Sequence, residues 1–162
     1  MGIIVELDGF WEYDDTYLSV VCVSGGYDPI HPGHIGQMQE ASNLGDILVA
    51  IVNGDSFLER KKGVAFMDLR TRCQIVAAID YVDYVIPYES ENDDVTEVLK
   101  FIGPDVFCNG GDVNDHKDTR EYAYCRDHGI KCAYDIGPSK EWSSTDILSS
   151  YTTRLGLRKH DW

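Results

Sequence analysis

The chain has 162 residues, 43% of them hydrophobic, and a formal net charge of -14. That length suits one domain with a sizeable core, and the charge excludes a general nucleic-acid binder, which needs a basic footprint. No apolar run approaches the roughly 20 residues of a membrane-spanning helix, and the acidic N-terminus lacks the basic region of a secretory signal, so the expected location is the cytoplasm.

Residues 3–7, Asp8-Gly9 and residues 10–13 read as a β-hairpin, because Asp-Gly suits a type I′ turn. Residues 1–17 are expected to form a short extension, 18–155 the main domain and 156–162 a tail. Residues 18–23 are strand-like and break at Ser24-Gly25-Gly26. Pro32-Gly33 opens a helix with Ile35, Met38, Ala41 and Leu44 at three-residue spacing, ended by Gly45. Residues 47–52 form a continuous apolar run, as a buried parallel strand requires. Residues 54–66 are polar and are expected to be a loop. Asp68 can cap a helix carrying Ile75, Val76 and Ile79. Residues 84–86 are a short strand halted by Pro87. A helix over 95–102 stops at Gly103-Pro104, and a strand follows at 106–108. Residues 117–128 are helical, 131–134 extended, and Ser143 or Ser144 caps a last helix reaching about Leu155. This alternation predicts an α/β fold: a Rossmann-like, doubly wound parallel sheet with right-handed crossovers.

Ligands of such sheets bind outside the carboxyl ends of the strands. Three unusual segments fall there: 24–34, 109–112 and 143–145. In the first, two glycines let backbone approach a phosphate, and Pro32 suits an early helical position. His31 and His34, three apart, both reach the helix N-terminus, itself an anion site. Two imidazoles there can donate hydrogen bonds to phosphoryl oxygens. A metal held by the two histidines would find only Asp28 as a near third ligand, and the order strand, glycines, helix favours phosphate. Lys61 and Lys62 alone read as a solvated pair. Ser143, Ser144 and Thr145 can cap a helix and bind phosphate together, since both use free N–H groups. The five cysteines, Cys22, Cys73, Cys108, Cys125 and Cys132, are odd in number and lack C-x-x-C, so neither a disulfide framework nor a zinc site is expected. Cys22 and Cys108 read as small hydrophobes.

The run Gly25-Gly26-Tyr27-Asp28-Pro29, followed by His31-Pro32-Gly33-His34, resembles the H-x-G-H signature of the cytidylyltransferase-like nucleotidyltransferases. Further resemblances follow in order. Arg60-Lys61-Lys62-Gly63 is similar to the family's basic segment. Arg72 with residues 81–87 is similar to its Arg-led helix and following strand, here close to the glycerol-3-phosphate cytidylyltransferases. Pro104-Asp105-Val106 with Gly110-Gly111-Asp112 resembles a run of the adenylyltransferase half of ADP-heptose synthases. Ser143-Ser144-Thr145-Asp146-Ile147 resembles the S-T-x-I signature.

The resemblance implies transfer of a nucleoside monophosphate from CTP or ATP to a phosphorylated sugar or polyol, with release of pyrophosphate. It implies Mg²⁺ as cofactor, small-molecule partners and a homodimer. His31 and His34 would stabilise charge on the transferred phosphoryl group. Lys62, with Lys61, would clamp phosphates. Ser24, Gly25, Gly26, Tyr27, Gly33, Arg72, Gly110 and Gly111 would line the nucleotide site. Ser143, Ser144 and Thr145 would hold the β- and γ-phosphates. Asp112 would lie near Mg²⁺ or the ribose, and Asp28 near the metal or the acceptor. Two departures leave base and acceptor open: Asn109 stands where the heptose branch commonly has Lys, and Tyr27 where Phe is usual. The opening also resembles nicotinate mononucleotide adenylyltransferases, so a mononucleotide acceptor is an alternative, as is a non-catalytic nucleotide sensor. The intact His pair, Lys62 and Ser-Thr segment favour the enzyme.

Overall fold

The structure is a computed structural model that describes residues 1–12, 18–110, 117–138, 141 and 143–156. Its strands are Ile3–Ile4 (β1), Val20–Gly25 (β2), Ile47–Asn53 (β3), Tyr84–Tyr88 (β4), Val106–Cys108 (β5) and Lys131–Ala133 (β6). They form one sheet in the order β1-β4-β3-β2-β5-β6, and every pair is parallel. The helices are Pro32–Ser42 (α1), Asp55–Lys62 (α2), Leu69–Ala77 (α3), Thr96–Ile102 (α4), Arg120–His128 (α5) and Ser144–Arg154 (α6). The expected doubly wound α/β architecture is therefore present. None of the described helices is long and apolar enough to cross a membrane.

Alternation along the strands builds two cores. Val21 and Val23 of β2, with Leu48, Ala50 and Val52 of β3, face Met38 and Ala41 of α1 and Val76 of α3. Val20, Cys22, Val49 and Ile51 face the other way, onto Val98, Leu99 and Ile102 of α4 and Cys125 of α5. Burial on both faces is why β3 reads as an unbroken apolar run. Cys22 and Cys108 sit in these cores as expected. Burial pushes the Cys22 thiol up, and that of Cys108 to about 12.

Three aspartates pin the amino ends of the strands. Asp46 accepts from Ser19 N at 2.9 Å, Asp83 from Leu48 N at 2.8 Å, and Asp105 from Val20 N at 2.8 Å. Each fixes the start of a strand next to its own, so the register at the opposite, functional edge is set from below.

Four sequence expectations need correction. The N-terminal hairpin does not form: β1 joins the sheet edge in parallel, Ile3 opposite Tyr84, and Leu7–Glu12 is a 3₁₀ helix containing Asp8-Gly9. Tertiary burial decides this, because Val5 and Phe10 insert into the second core. Residues 54–66 are not all loop, since α2 occupies Asp55–Lys62. Pro87 does not end β4; it pairs in register with Val52. Residues 83 and 85 turn their carbonyls to β1, whereas Tyr88 turns its own to Gly54 beyond β3. Pro87 thus faces the side that β1 has already left, where no N–H is required. Finally, α5 starts at Arg120, capped by Thr119, not at residue 117.

Candidate active site

The chain runs outward from β2 through β3 to β4, then crosses back to β5 beside β2. The switch point is therefore the gap between the carboxyl ends of β2 and β5, where doubly wound sheets bind ligands. A cavity of about 220 Å³ opens there. Ser24, Gly25 and Gly26 form its floor with Asn109, and Lys61 and Phe57 of α2 flank it.

The two glycines have steric causes. A Cβ on Gly25 would lie 2.9 Å from Cζ of the buried Tyr27 ring, and one on Gly26 would lie 2.7 Å from Leu58 of α2. The loop is thus pressed between the Tyr27 ring and α2. Tyr27 itself holds a left-handed φ of 52°, a conformation that persists only when its surroundings over-determine it. Its ring lies in the first core, edge-on to His34 with centroids 5.0 Å apart. It supports the site from beneath and does not line it.

His31 is the N-cap of α1, with Pro32 next, and its side chain makes no cap bond. The His31 and His34 rings stack at 3.7 Å with 19° between planes. Their Nδ1 atoms are buried without a hydrogen-bond partner. Burial pulls the His34 pKa down to about 3, helped by His31 and Lys62. His31 is lowered by burial and by Lys62. Both imidazoles are thus neutral donors near neutral pH, and the positive charge beside them is the Lys62 ammonium. Lys62 is half-buried and donates to the Asp28 carbonyl at 2.8 Å. Burial lowers its pKa, Asp28 opposes this, and Lys61 and Arg72 add to it.

Helix α6 starts beside the same loop. Ser144 Oγ donates to the Pro29 carbonyl at 2.9 Å, and Ser143 caps the helix by accepting from Asp146 N at 3.3 Å. Thr145 follows, exposed, in the first turn. The structure therefore gathers His31, Gly33, His34, Lys62, Ser143, Ser144 and Thr145 around one loop, with two helix N-termini there. Ser24, Gly25, Gly26 and Lys61 stand on the cavity side of it. Gly110 continues from Asn109, exposed, with Gln37 alongside. Gly111 and Asp112 lie outside the described residues.

Two expected ligand contacts are corrected. Arg72 is fully buried and cannot reach a nucleotide. Its Nε donates to Met67 O at 3.0 Å, and its Nη1 to Gly26 O at 2.7 Å and Asn53 O at 2.6 Å; Nη2 pairs with Asp55. It ties the ends of β2 and β3 to the start of α2 and the loop before α3, so it positions the phosphate-facing loop from behind. Asp28 is likewise fully buried. Its two carboxylate oxygens accept from Phe66 N and Met67 N, each at 2.8 Å. With both oxygens so engaged and no exposed surface, Asp28 does not fit the role of a Mg²⁺ ligand. Among the described residues no group of three or more His, Cys, Asp or Glu could hold a metal ion.

Sequence reading missed one wall of the cavity: Asp93, Asp94 and Val95 before α4, and Thr119 and Glu121 at the start of α5. Only the sheet order brings these segments beside β2, and no local pattern announces it.

Beside this switch point free helix N-termini, neutral imidazoles and the Lys62 ammonium gather around one loop, an arrangement that suits phosphate and places the chain among the nucleotide-binding doubly wound proteins. Sequence comparison makes the class definite. A family model described as cytidylyltransferase-like matches residues 22–149, and the chain belongs to that family of nucleotidyltransferases. It is 38% identical over 136 residues to the bifunctional protein HldE of Citrifermentans bemidjiense, a match covering 82% of this chain and 28% of that protein. The chain thus spans little more than a quarter of that relative's length. Among solved structures, the fold is similar to the lipopolysaccharide core biosynthesis protein of Thermoplasma volcanium (TM-score 0.64, 23% identity, 75% of this chain and 99% of that one). It is also similar to pantoate-beta-alanine ligase of Francisella tularensis (TM-score 0.63, 15% identity, 96% of this chain and 77% of that one).

Proposed function

We propose that the protein transfers a nucleoside monophosphate from CTP or ATP to a phosphorylated sugar or polyol and releases pyrophosphate. The observation that carries this reading is the convergence of His31, His34, Lys62 and the start of α6 on the loop at residues 28–29, joined by Lys62 to Asp28 O and Ser144 to Pro29 O. Membership of the family supports the reaction, and the resemblance of Pro104-Asp105-Val106 with Gly110-Gly111-Asp112 to the adenylyltransferase half of ADP-heptose synthases supports a phosphorylated sugar as acceptor.

In this reading an anionic oxygen of the acceptor phosphate forms a bond to the α-phosphorus of the triphosphate. The bond from that phosphorus to the bridging oxygen breaks, and pyrophosphate leaves with the electron pair. No strong base is needed, because the nucleophile is already charged. What the site supplies is alignment and neutralisation of charge. The free N–H groups at the starts of α1 and α6 receive phosphate oxygens. His31 and His34 donate neutral N–H groups, and Lys62 brings the cation. Asp28 acts through its clasp on Phe66 and Met67, which holds the segment after α2 so that Lys62 stays over the loop. Arg72 does the same for Gly26. Mg²⁺ dependence belongs to the proposal; Mg²⁺ commonly binds through substrate phosphates and one or two carboxylates, and Asp112 is the candidate for that role.

The test is pyrophosphate release with each nucleotide, each of several sugar and polyol phosphates, and Mg²⁺. The proposal expects release that needs both substrates and stops with EDTA. Release from nucleotide alone at the same rate, or none with any pair while the nucleotide binds, would overturn it.

A further inference from the structure

The cavity at the switch point is lined by charges of both signs: Lys61, beside the Ser24–Gly26 segment, and the carboxylates Asp93, Asp94 and Glu121. The His pair and the start of α6 are not on its wall. Lys61 is the lining cation of the cavity and alone cannot neutralise a triphosphate, so the nucleotide's phosphates belong on the side of the loop that carries the His pair, Lys62 and the start of α6. At about 220 Å³ the cavity is smaller than the roughly 300–1,000 Å³ of drug-sized ligand sites.

The charges of these carboxylates are compensated. Arg60 donates to Asp93 at 2.7 Å, and Arg120 reaches Asp94 at 3.4 Å. Glu121 accepts from Val95 N at 3.2 Å, which fixes its carboxylate against the start of α4. With Lys61, three cations balance three carboxylates around the space. Each carboxylate has about four lone-pair sites, so capacity to accept remains after these bonds. A wall that is electrically balanced but rich in acceptors selects neutral O–H donors. An ammonium would find no net negative charge, and a carboxylate or second phosphate would lie against the Asp93 and Glu121 carboxylates, which offer it no hydrogen.

Resting on the nucleotidyl-transfer reading above, we propose that this cavity is the acceptor subsite, that it takes a small phosphorylated compound with its phosphate toward Lys61 and an uncharged, hydroxyl-bearing end toward Asp93 and Glu121, and that these two side chains determine acceptor specificity. Hydrogen bonds from hydroxyls to ionised carboxylates are roughly twice as strong as neutral ones, so they suit this discrimination.

The experiment measures pyrophosphate release from the intact chain with glycerol 3-phosphate, hexose 1-phosphates, a heptose 1-phosphate, ethanolamine phosphate and 3-phosphoglycerate. The proposal expects turnover with one or more hydroxyl-bearing phosphates and at least about tenfold lower kcat/KM for the ammonium- and carboxylate-bearing ones, a difference of about 1.4 kcal/mol. Glu121→Gln and Asp93→Asn should raise acceptor KM about tenfold, with nucleotide KM and Tm unchanged. Phe57→Trp, which fills the cavity, should abolish acceptor use while leaving nucleotide binding intact. Wild-type turnover with unaltered acceptor KM in all three variants, or preference for ethanolamine phosphate, overturns this inference and leaves the reaction standing. No turnover with any acceptor, though nucleotide binds, overturns the reaction and this inference with it.

Discussion

Replacing Arg72 by methionine removes the guanidinium that joins four segments behind the phosphate-facing loop. The carbonyls of Gly26, Asn53 and Met67 would lose their donor inside the fold, and Asp55 its counter-ion. An unsatisfied buried carbonyl costs about 1–3 kcal/mol, and removing one partner of a buried pair about 3–5 kcal/mol. These do not add in full, because Asp55 retains 35% exposure of its side chain and can be hydrated. A net loss of about 3–5 kcal/mol is expected, which for a protein of this size lowers Tm by about 6–20 °C. Arg72→Lys keeps the charge and three of the five donors, so it should fall between. The assay is calorimetric unfolding, with nucleotide binding measured below the transition. A Tm within about 2 °C of wild type, together with lost nucleotide binding, would show that Arg72 holds the nucleotide and would refute the positioning role.

Three further outcomes follow from the geometry. His34→Ala should lower kcat about 10²- to 10³-fold, the usual effect of losing one well-placed donor, with little change in Tm; a rate within tenfold of wild type would contradict its role. His34 also sets a pH dependence. Its folded pKa of about 3 lies below its ordinary 6.5, so between those values the unfolded chain binds the extra proton. Stability from this group is complete above pH 6.5 and falls as pH drops below it, by up to about 1.4 kcal/mol per unit. The fall in Tm from pH 6.5 to 5 should therefore be shallower in His34→Gln, and identical slopes would disprove the buried, neutral state. Phe10→Ala should cost about 3–5 kcal/mol, because Phe10 is fully buried against the Tyr84 ring at 5.4 Å; an unchanged Tm would mean that the N-terminal segment is not part of the core.

The architecture was legible because parallel strands buried on both faces are continuous apolar runs, and β3 is one. The caps at Asp68 and Ser143 were legible for the same local reason, since each accepts from an N–H within its own helix start, whereas the Thr119 cap was missed. Helix α2 was not, since Leu58 is its only buried residue and no periodic stripe exists. Its other signals, Asp55 in the first turn, three basic residues in the last and Gly63 in the left-handed conformation, were present in the chain but carry less weight than periodicity. Of the site, the segments at 24–34 and 143–145 were readable because glycines, histidines and a capping serine mark a strand exit and a helix start. The true positions of Arg72 and Asp28 were not readable. Both are clasped by backbone groups from other parts of the chain, as when Asp28 takes N–H bonds from Phe66 and Met67, nearly forty positions further along. A charged residue on an otherwise ordinary helix gives no local sign that it is buried.

The proposed reaction requires the nucleotide's phosphates to sit at the His31–His34 loop. Calorimetric titration with CTP and with ATP, on wild type and on His34→Ala and Ser144→Ala, tests this most directly. One nucleotide should bind the wild type, more weakly in both variants, with the other bound at least about tenfold less tightly, or about 1.4 kcal/mol. Binding that both variants leave unchanged, in folded protein, would place the nucleotide elsewhere and contradict a phosphate site at this loop.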